Sequence, residues 1–273
     1  MRMRRFGWTE YEVPVVGQGT WPVPDRDALR RGLELGMSHI DTAEMYGEGR
    51  SEEVVGEAIA GARREGIFLV SKVLPSNATR SGTLKACERS LRRLKTDYLD
   101  CYLLHWRDDV PLSETMEALA GLVESGKIRS FGVSNFDPWD LREAAAALGG
   151  RGRIACNQVL YNLGERTPEH HELPWGHGND TAFVAYTPLA RPKGRRAEEV
   201  LGEIAAAHRV TREAVALAFL TRDPLSFVIP KANTVAHVEA NAAAGDLELE
   251  PDEIAAIDAA YPARERAGEL PMN

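Results

Sequence analysis

Eight short apolar runs, recurring along the chain at about one strand–helix repeat, constrain this sequence more than any other feature. They lie near Val15–Gly17, His39–Asp41, Phe68–Lys72, Tyr98–His105, Ile128–Ser134, Ile154–Leu160, Ala182–Tyr186 and Ser226–Lys231. The runs are continuous rather than alternating, which is the pattern of strands covered on both faces, as in parallel sheets. Segments of helical period separate them. Leu84, Cys87, Leu91 and Leu94 recur on one face, with Lys85, Glu88, Arg89 and Arg92 on the others. Asp137-Pro138 reads as a helix cap followed by proline in the first turn, and Gly126 stands where a helix should stop. Eight such units predict an α/β fold, a (β/α)8 TIM barrel, in one domain spanning residues 1–273. The length agrees, since such barrels take roughly 250 residues.

Some segments exceed the simple plan. Arg4–Val13, with Gly7 between two short runs, predicts an N-terminal hairpin capping the barrel floor. Two helical segments fall between Ala197 and Thr221, one more than needed, and a further C-terminal helix is predicted at Asp252–Ala260. Gly17-Gln18-Gly19 supplies two glycines of a dinucleotide fingerprint, but Pro22 occupies the third position, so a nucleotide site must be built differently.

Bulk properties exclude several classes. A formal net charge of −8 argues against nucleic acid or an anionic membrane surface as partner. No apolar run approaches the roughly 20 residues that span a bilayer. The N-terminal Met-Arg-Met-Arg-Arg-Phe-Gly-Trp has no apolar stretch behind its charges, so no signal peptide is expected. Cys87, Cys101 and Cys156 are widely spaced and odd in number, which suits a reducing cytoplasm and a packing role.

The chemistry is carried by polar residues at strand ends. In a barrel, the C-terminal ends of the strands build the active site while strand interiors are packed. Asp41, Lys72 and His105 close three consecutive runs, and Ser134-Asn135, Gln158, Tyr186 and Lys231 lie at or near the ends of later ones. Singly, such residues are helix caps, snorkelling amines or hydrogen-bonded core histidines. Together, from Asp41 to Tyr186, they recur about every 24 to 33 residues, a beat that independent surface residues have no reason to keep.

Lys72 and Asp41, pushed into one mouth, should neutralise each other. Tyr46 lies five residues past Asp41, in a loop that folds over the same mouth. A free phenol has a pKa of about 10. The Lys72 ammonium beside it is expected to lower that value and let Tyr46 give a proton to a carbonyl oxygen. A neutral His105 would orient the carbonyl and stabilise the developing oxyanion. No metal is required, no serine or cysteine has an evident base, and reduction then needs a hydride donor.

These residues stand in motifs that resemble the aldo-keto reductase superfamily over nearly the whole chain. The motifs are Gly17-Gln18-Gly19-Thr20-Trp21, Asp41-Thr42-Ala43-Glu44-Met45-Tyr46-Gly47, Ser71-Lys72-Val73, Leu103-Leu104-His105-Trp106, Gly126 through Phe136, Asn157-Gln158-Val159, Ala185 through Ala190, and Ile229-Pro230-Lys231. The resemblance implies a catalytic tetrad of Asp41, Tyr46, Lys72 and His105. It implies that Ser134, Asn135 and Gln158 hold a nicotinamide carboxamide while the ring stacks on Tyr186. The backbone near Thr187 and Leu189 would follow the pyrophosphate, and Thr20 and Trp21 would line the mouth. Arg191, Lys193, Arg195 and Arg196 come next, and read equally as phosphate neutralisers or as a solvated loop.

At the adenosine end the chain departs from the family pattern. Lys231 is kept, but Ala232 stands for a serine, His237 for an arginine and Ala240 for a glutamate, while Asn241 matches. Lys231 can still pair with a 2′-phosphate, so NADP(H) is predicted, with NAD(H) the alternative. Trp21, Tyr46, His105 and Trp106 would form an aromatic-lined pocket, with Trp175 as an outsider, for small aldehydes and reactive ketones. The chain is expected to act as a monomer or weak homo-oligomer. Two other readings exist: a nicotinamide-binding auxiliary subunit on the same fold, and a metal-dependent hydrolase using His105 and Asp41, or His170, His171 and His177.

Overall fold

The computed structural model describes residues 1–265 and 270–272. The chain opens with a hairpin of β1 (Met3–Arg5) and β2 (Glu12–Pro14), antiparallel with Arg4 opposite Val13. Eight units follow. They run β3 (Gln18–Gly19), α1 (Arg26–Glu34), β4 (His39–Asp41), α2 (Arg50–Ile59), β5 (Phe68–Val73), α3 (Arg80–Leu94), β6 (Leu99–Leu104), α4 (Leu112–Glu124), β7 (Ile128–Ser134) and α5 (Pro138–Ala147). After these come β8 (Cys156–Leu160), α6 (Glu172–Asn179), β9 (Ala182–Tyr186), α7 (Arg195–His208), α8 (Arg212–Leu220), β10 (Ser226–Val228), α9 (Val235–Ala243) and α10 (Pro251–Ala260).

All eight strands from β3 to β10 are parallel and neighbour one another in chain order. Parallel bridges Val16–Val228 and Gly19–Lys231 bring the last strand back to the first and close the barrel. The (β/α)8 architecture is therefore as predicted. So is the hairpin, which plugs the N-terminal end. Phe6 is buried there, its ring 4.7 Å from Phe68 and 5.1 Å from Phe227, both at strand entrances.

Inside the barrel, Val70, Cys101, Leu103, Cys156, Val184 and Phe227 form one cluster with Phe6. The intervening residues face outward: Leu69, Tyr102, Leu104 and Val133 join α2 to α5 in a second cluster, and Val159, Phe183, Ala185 and Val228 join α7 and α8 in a third. Each strand is thus covered on both faces, which is why its sequence reads as an unbroken apolar run. All three cysteines are buried and free.

Some boundaries differ from the predicted ones. The first strand lies at Gln18–Gly19, immediately after the apolar run, where Gln18 is buried and its Nε2 donates to Leu29 O and Met37 O at 3.3 and 2.9 Å. The last strand ends at Val228 rather than Lys231, since Pro230 has no N–H to give the ladder. Both helices predicted between Ala197 and Thr221 are present, as α7 and α8, and α7 packs outside α8 together with α10. Helix α9 was not among the predicted elements; Thr234 caps it, accepting from His237 N at 3.3 Å.

Candidate active site

The mouth of the barrel is built by the ends of its strands. Lys72 is fully buried on β5, and its Nζ donates to Asp41 Oδ1 at 2.6 Å, to Thr42 O at 3.0 Å and to Tyr46 Oη at 3.2 Å. The other oxygen of Asp41 accepts from Gln158 Nε2 at 2.8 Å. Tyr46 is half-buried, with its ring 5.6 Å from His105 and nearly perpendicular to it. The structure brings all four residues of the expected tetrad together at one rim.

Burial shapes their protonation. Withdrawal from water alone would lower the Lys72 pKa, but Asp41 and then Tyr46 more than compensate and raise it above the ordinary lysine value. Lys72 therefore remains an ammonium. His105 is pushed down to about 2, by burial first and the Lys72 charge second, and stays neutral. Its Nδ1 is buried without a partner. Tyr46 departs from expectation: its pKa is raised, because burial outweighs the opposing pull of Lys72, with Asp41 adding to the rise. The phenol is thus held protonated, and the ammonium moderates a shift that burial would make larger.

The residues assigned to the nicotinamide lie around the same rim. Ser134 Oγ donates to Gln158 O at 2.9 Å. Asn135, in a left-handed conformation at φ 61°, donates through Nδ2 to His105 O and to Ser134 Oγ, both at 3.2 Å. Its Oδ1 accepts from Tyr186 Oη at 2.9 Å. The proposed stacking residue is thereby linked to the backbone of His105. Thr20 is buried beneath the rim, donating to Asp41 O at 2.9 Å and accepting from Ser51 Oγ at 2.8 Å, while Trp21 beside it is 62% exposed. Trp106 stands 4.9 Å from the His105 ring. Trp175 lies on α6 against the outer core layer.

At the other end, Lys231 forms no ion pair among the described residues, and Asn241 is buried on α9 with Nδ2 unpartnered. A free ammonium and an unpaired buried donor after β10 fit the phosphate and adenosine of a nicotinamide dinucleotide. His237 is exposed on the first turn of α9. Thr187 and Leu189 follow β9, with Thr187 at φ 50°. The basic loop beyond them is less available than its sequence suggests. Arg191 is locked to Glu198 at 2.9 Å and Glu213 at 3.0 Å, while Arg195, exposed at the start of α7, pairs with Glu199 at 2.9 Å. Acidic residues near the starts of α7 and α8 take up the Arg191 charge that the sequence left open.

Three contributors escaped the sequence reading. Thr42 acts through a backbone carbonyl, which no side-chain motif can reveal. Asn162 accepts from the N–H groups of Gly164 and Glu165 and donates to Thr187 O at 3.3 Å, fixing the β9 exit. Its signal was the Asn-x-Gly turn pattern. Glu44 lies in the Tyr46 motif, and only its partners Leu74, Asn77 and Arg89, remote in the chain, give it a role. Among the described residues, no group of three or more His, Cys, Asp or Glu side chains is placed to hold a metal ion. His171 and His177 instead meet Glu265 at 3.1 Å and Asp223 at 2.8 Å.

A curled parallel barrel with a buried Lys–Asp pair against a tyrosine, and a histidine across from it, defines a class of protein. The model of the aldo/keto reductase family matches residues 16–262, and the chain belongs to that family. Among curated relatives, it is 46% identical to the methylglyoxal reductase YeaE of Escherichia coli strain K12, over 93% of each chain. It is 32% identical to the methylglyoxal reductase DkgB of Escherichia coli O157:H7, over 90% of this chain and 93% of that one. Among solved structures, an aldo/keto reductase from Klebsiella pneumoniae in complex with NADP and acetate superimposes with a TM-score of 0.92 at 43% identity, covering 100% of this chain and 99% of the other.

Proposed function

We propose that this aldo-keto reductase uses NADPH to reduce small, reactive carbonyl compounds, 2-oxoaldehydes of the methylglyoxal type foremost, to alcohols in the cytoplasm. One observation carries the reading: the Lys72 ammonium, 2.6 Å from Asp41 and 3.2 Å from Tyr46 Oη, in a mouth that also holds neutral His105. The names of the curated relatives and the NADP bound to the Klebsiella structure support the choice of substrate class and cofactor.

Ser134, Asn135, Gln158 and Tyr186 would hold the nicotinamide, with Thr20, Trp21, Thr187 and Leu189 along the mouth and pyrophosphate, and Lys231, His237 and Asn241 at the adenosine end. When bound, the cofactor supplies hydride to the carbonyl carbon. As negative charge grows on the carbonyl oxygen, the Tyr46 phenol gives it a proton. Lys72 then stabilises the oxygen Tyr46 retains, and Asp41 holds Lys72 charged and in place. The neutral His105 ring carries one N–H, which can orient the carbonyl before transfer. Trp21 and Trp106 present apolar faces that suit small aldehydes.

The test is turnover of NADPH with methylglyoxal by the wild type and by Tyr46→Phe. Removing the proton donor should cost about 10²- to 10⁴-fold in kcat while cofactor binding persists. Undiminished turnover in Y46F, or none in the wild type, refutes the proposal.

A further inference from the structure

Two residues before Tyr46, Glu44 is buried with its side chain 5% exposed and its carboxylate fully engaged. Oε1 accepts from Leu74 N and from Asn77 Nδ2, both at 2.9 Å, and Oε2 accepts from Arg89 Nη2 at 3.0 Å. The backbone N–H of Glu44 donates to Lys72 O at 3.3 Å. One residue of the Tyr46 loop therefore grips β5 at Lys72 and at its exit: by main chain at position 72, by side chain at position 74. A carboxylate so deeply buried would be costly without its donors; with all of them it forms a stiff link.

The chain beyond Tyr46 offers a different kind of restraint. Gly47, Glu48 and Gly49 are all left-handed, at φ 55°, 55° and 90°, so the backbone turns sharply before α2 begins. At Gly49 a side chain would be strained by the left-handed backbone and would have to displace the Arg93 guanidinium. This turn sets where the loop goes next. Its registry against the lysine strand is set from the Glu44 side, where Thr42 N also reaches Val70 O at 2.9 Å.

We propose that Glu44 is a positioning residue that fixes the separation of the Tyr46 hydroxyl from the Lys72 amine, acting through the loop without touching substrate or cofactor. The role rests on Tyr46 being the proton donor. Glu44 is the only carboxylate of the Asp41–Tyr46 segment besides Asp41. Glutamine in its place keeps the size but turns an N–H2 donor toward one of the donors now bound. The loop should then drift from β5, and a misplacement of even 1 Å at a reacting group costs on the order of a hundredfold.

The experiment compares Glu44→Gln with the wild type in steady-state kinetics, NADPH titration and the pH profile of kcat. Positioning predicts a fall in kcat of about 10- to 100-fold, with KM for methylglyoxal and the Kd for NADPH little changed. It also predicts that the alkaline limb of kcat moves to higher pH, because Tyr46 loses the ammonium that restrains its pKa; the groups facing the phenol are Lys72, Asp41 and His105. Should E44Q fail to fold, the double variant Asn77→Ala, Arg89→Met removes two donors from outside the loop, and the same two readouts apply. A wild-type kcat, or a lowered kcat with the alkaline limb unmoved, overturns the proposal. Tyr46→Phe separates the causes. An active Y46F refutes the general-acid reading itself, whereas an inactive Y46F beside a wild-type-like E44Q refutes only the role of Glu44.

Discussion

At Tyr46 the environment pulls the phenol in two directions: burial favours the neutral form, and Lys72 favours the phenolate. Burial prevails, so the acid is kept loaded at the pH where reduction takes place. A raised tyrosine pKa means that protonated enzyme is lost only above the ordinary value of about 10. His105, pushed down to about 2, does not gain a proton anywhere near neutrality. The kcat for aldehyde reduction should therefore be level through neutral pH and decline only on the far alkaline side. A pH–rate profile with an inflection near the normal histidine value of about 6.5 would contradict this assignment. At the Lys72–Asp41 pair, withdrawal from water works against the Lys72 charge, and the carboxylate 2.6 Å away more than restores it, so the amine stays an ammonium although it is fully buried.

Among elements, α5 and the loop after β6 are joined around the mouth. Asp137 caps α5, accepting from Trp139 N at 2.7 Å and Asp140 N at 2.8 Å, as the Asp-Pro signal predicted. Asp137→Ala should lower stability by about 1 kcal/mol, read from the urea midpoint, with kcat preserved. Arg107, next to Trp106, reaches across to α5 at Asp140 (2.5 Å) and Glu143 (2.8 Å). These groups are partly exposed, so the bonds contribute less than about 1 kcal/mol to folding. Their effect is on the loop. Arg107→Ala is expected to leave Tm nearly unchanged while raising KM for methylglyoxal, because Trp106 is freed beside His105. An unaltered KM would mean the loop is held by other contacts. Element boundaries were the least legible feature. Gln18 and Pro230 moved the first and last strands through a buried amide and a missing N–H, effects that apolar periodicity does not register.

On the scale of the molecule, we propose that a dinucleotide reaching from Thr20 to Asn241 ties together residues far apart in the chain. We propose that the chain unfolds as a single domain, in one cooperative transition. NADP at 100 times its Kd should add about 2.7 kcal/mol, a shift of a few degrees in Tm. NAD at the same concentration should shift it less, since Lys231 would have no 2′-phosphate to meet; an equal or larger shift with NAD would reverse the cofactor assignment. No helix among the described residues is long and apolar enough to cross a membrane.

The sequence by itself determined the layering. Continuous apolar runs separated by amphipathic segments leave few ways to bury both faces of eight strands, and parallel closure is the one this chain adopts. It also placed Asp41, Lys72, His105 and Tyr186 at strand ends, because strand period and chain direction fix which residue comes last. Tertiary structure alone decided how these groups act on one another. The net direction of the Tyr46 shift, the capture of Arg191 by Glu198 and Glu213, and the grip of Glu44 on β5 all depend on distances between segments far apart in the chain. Electrostatic and desolvation effects are set by those distances, and a linear pattern does not contain them.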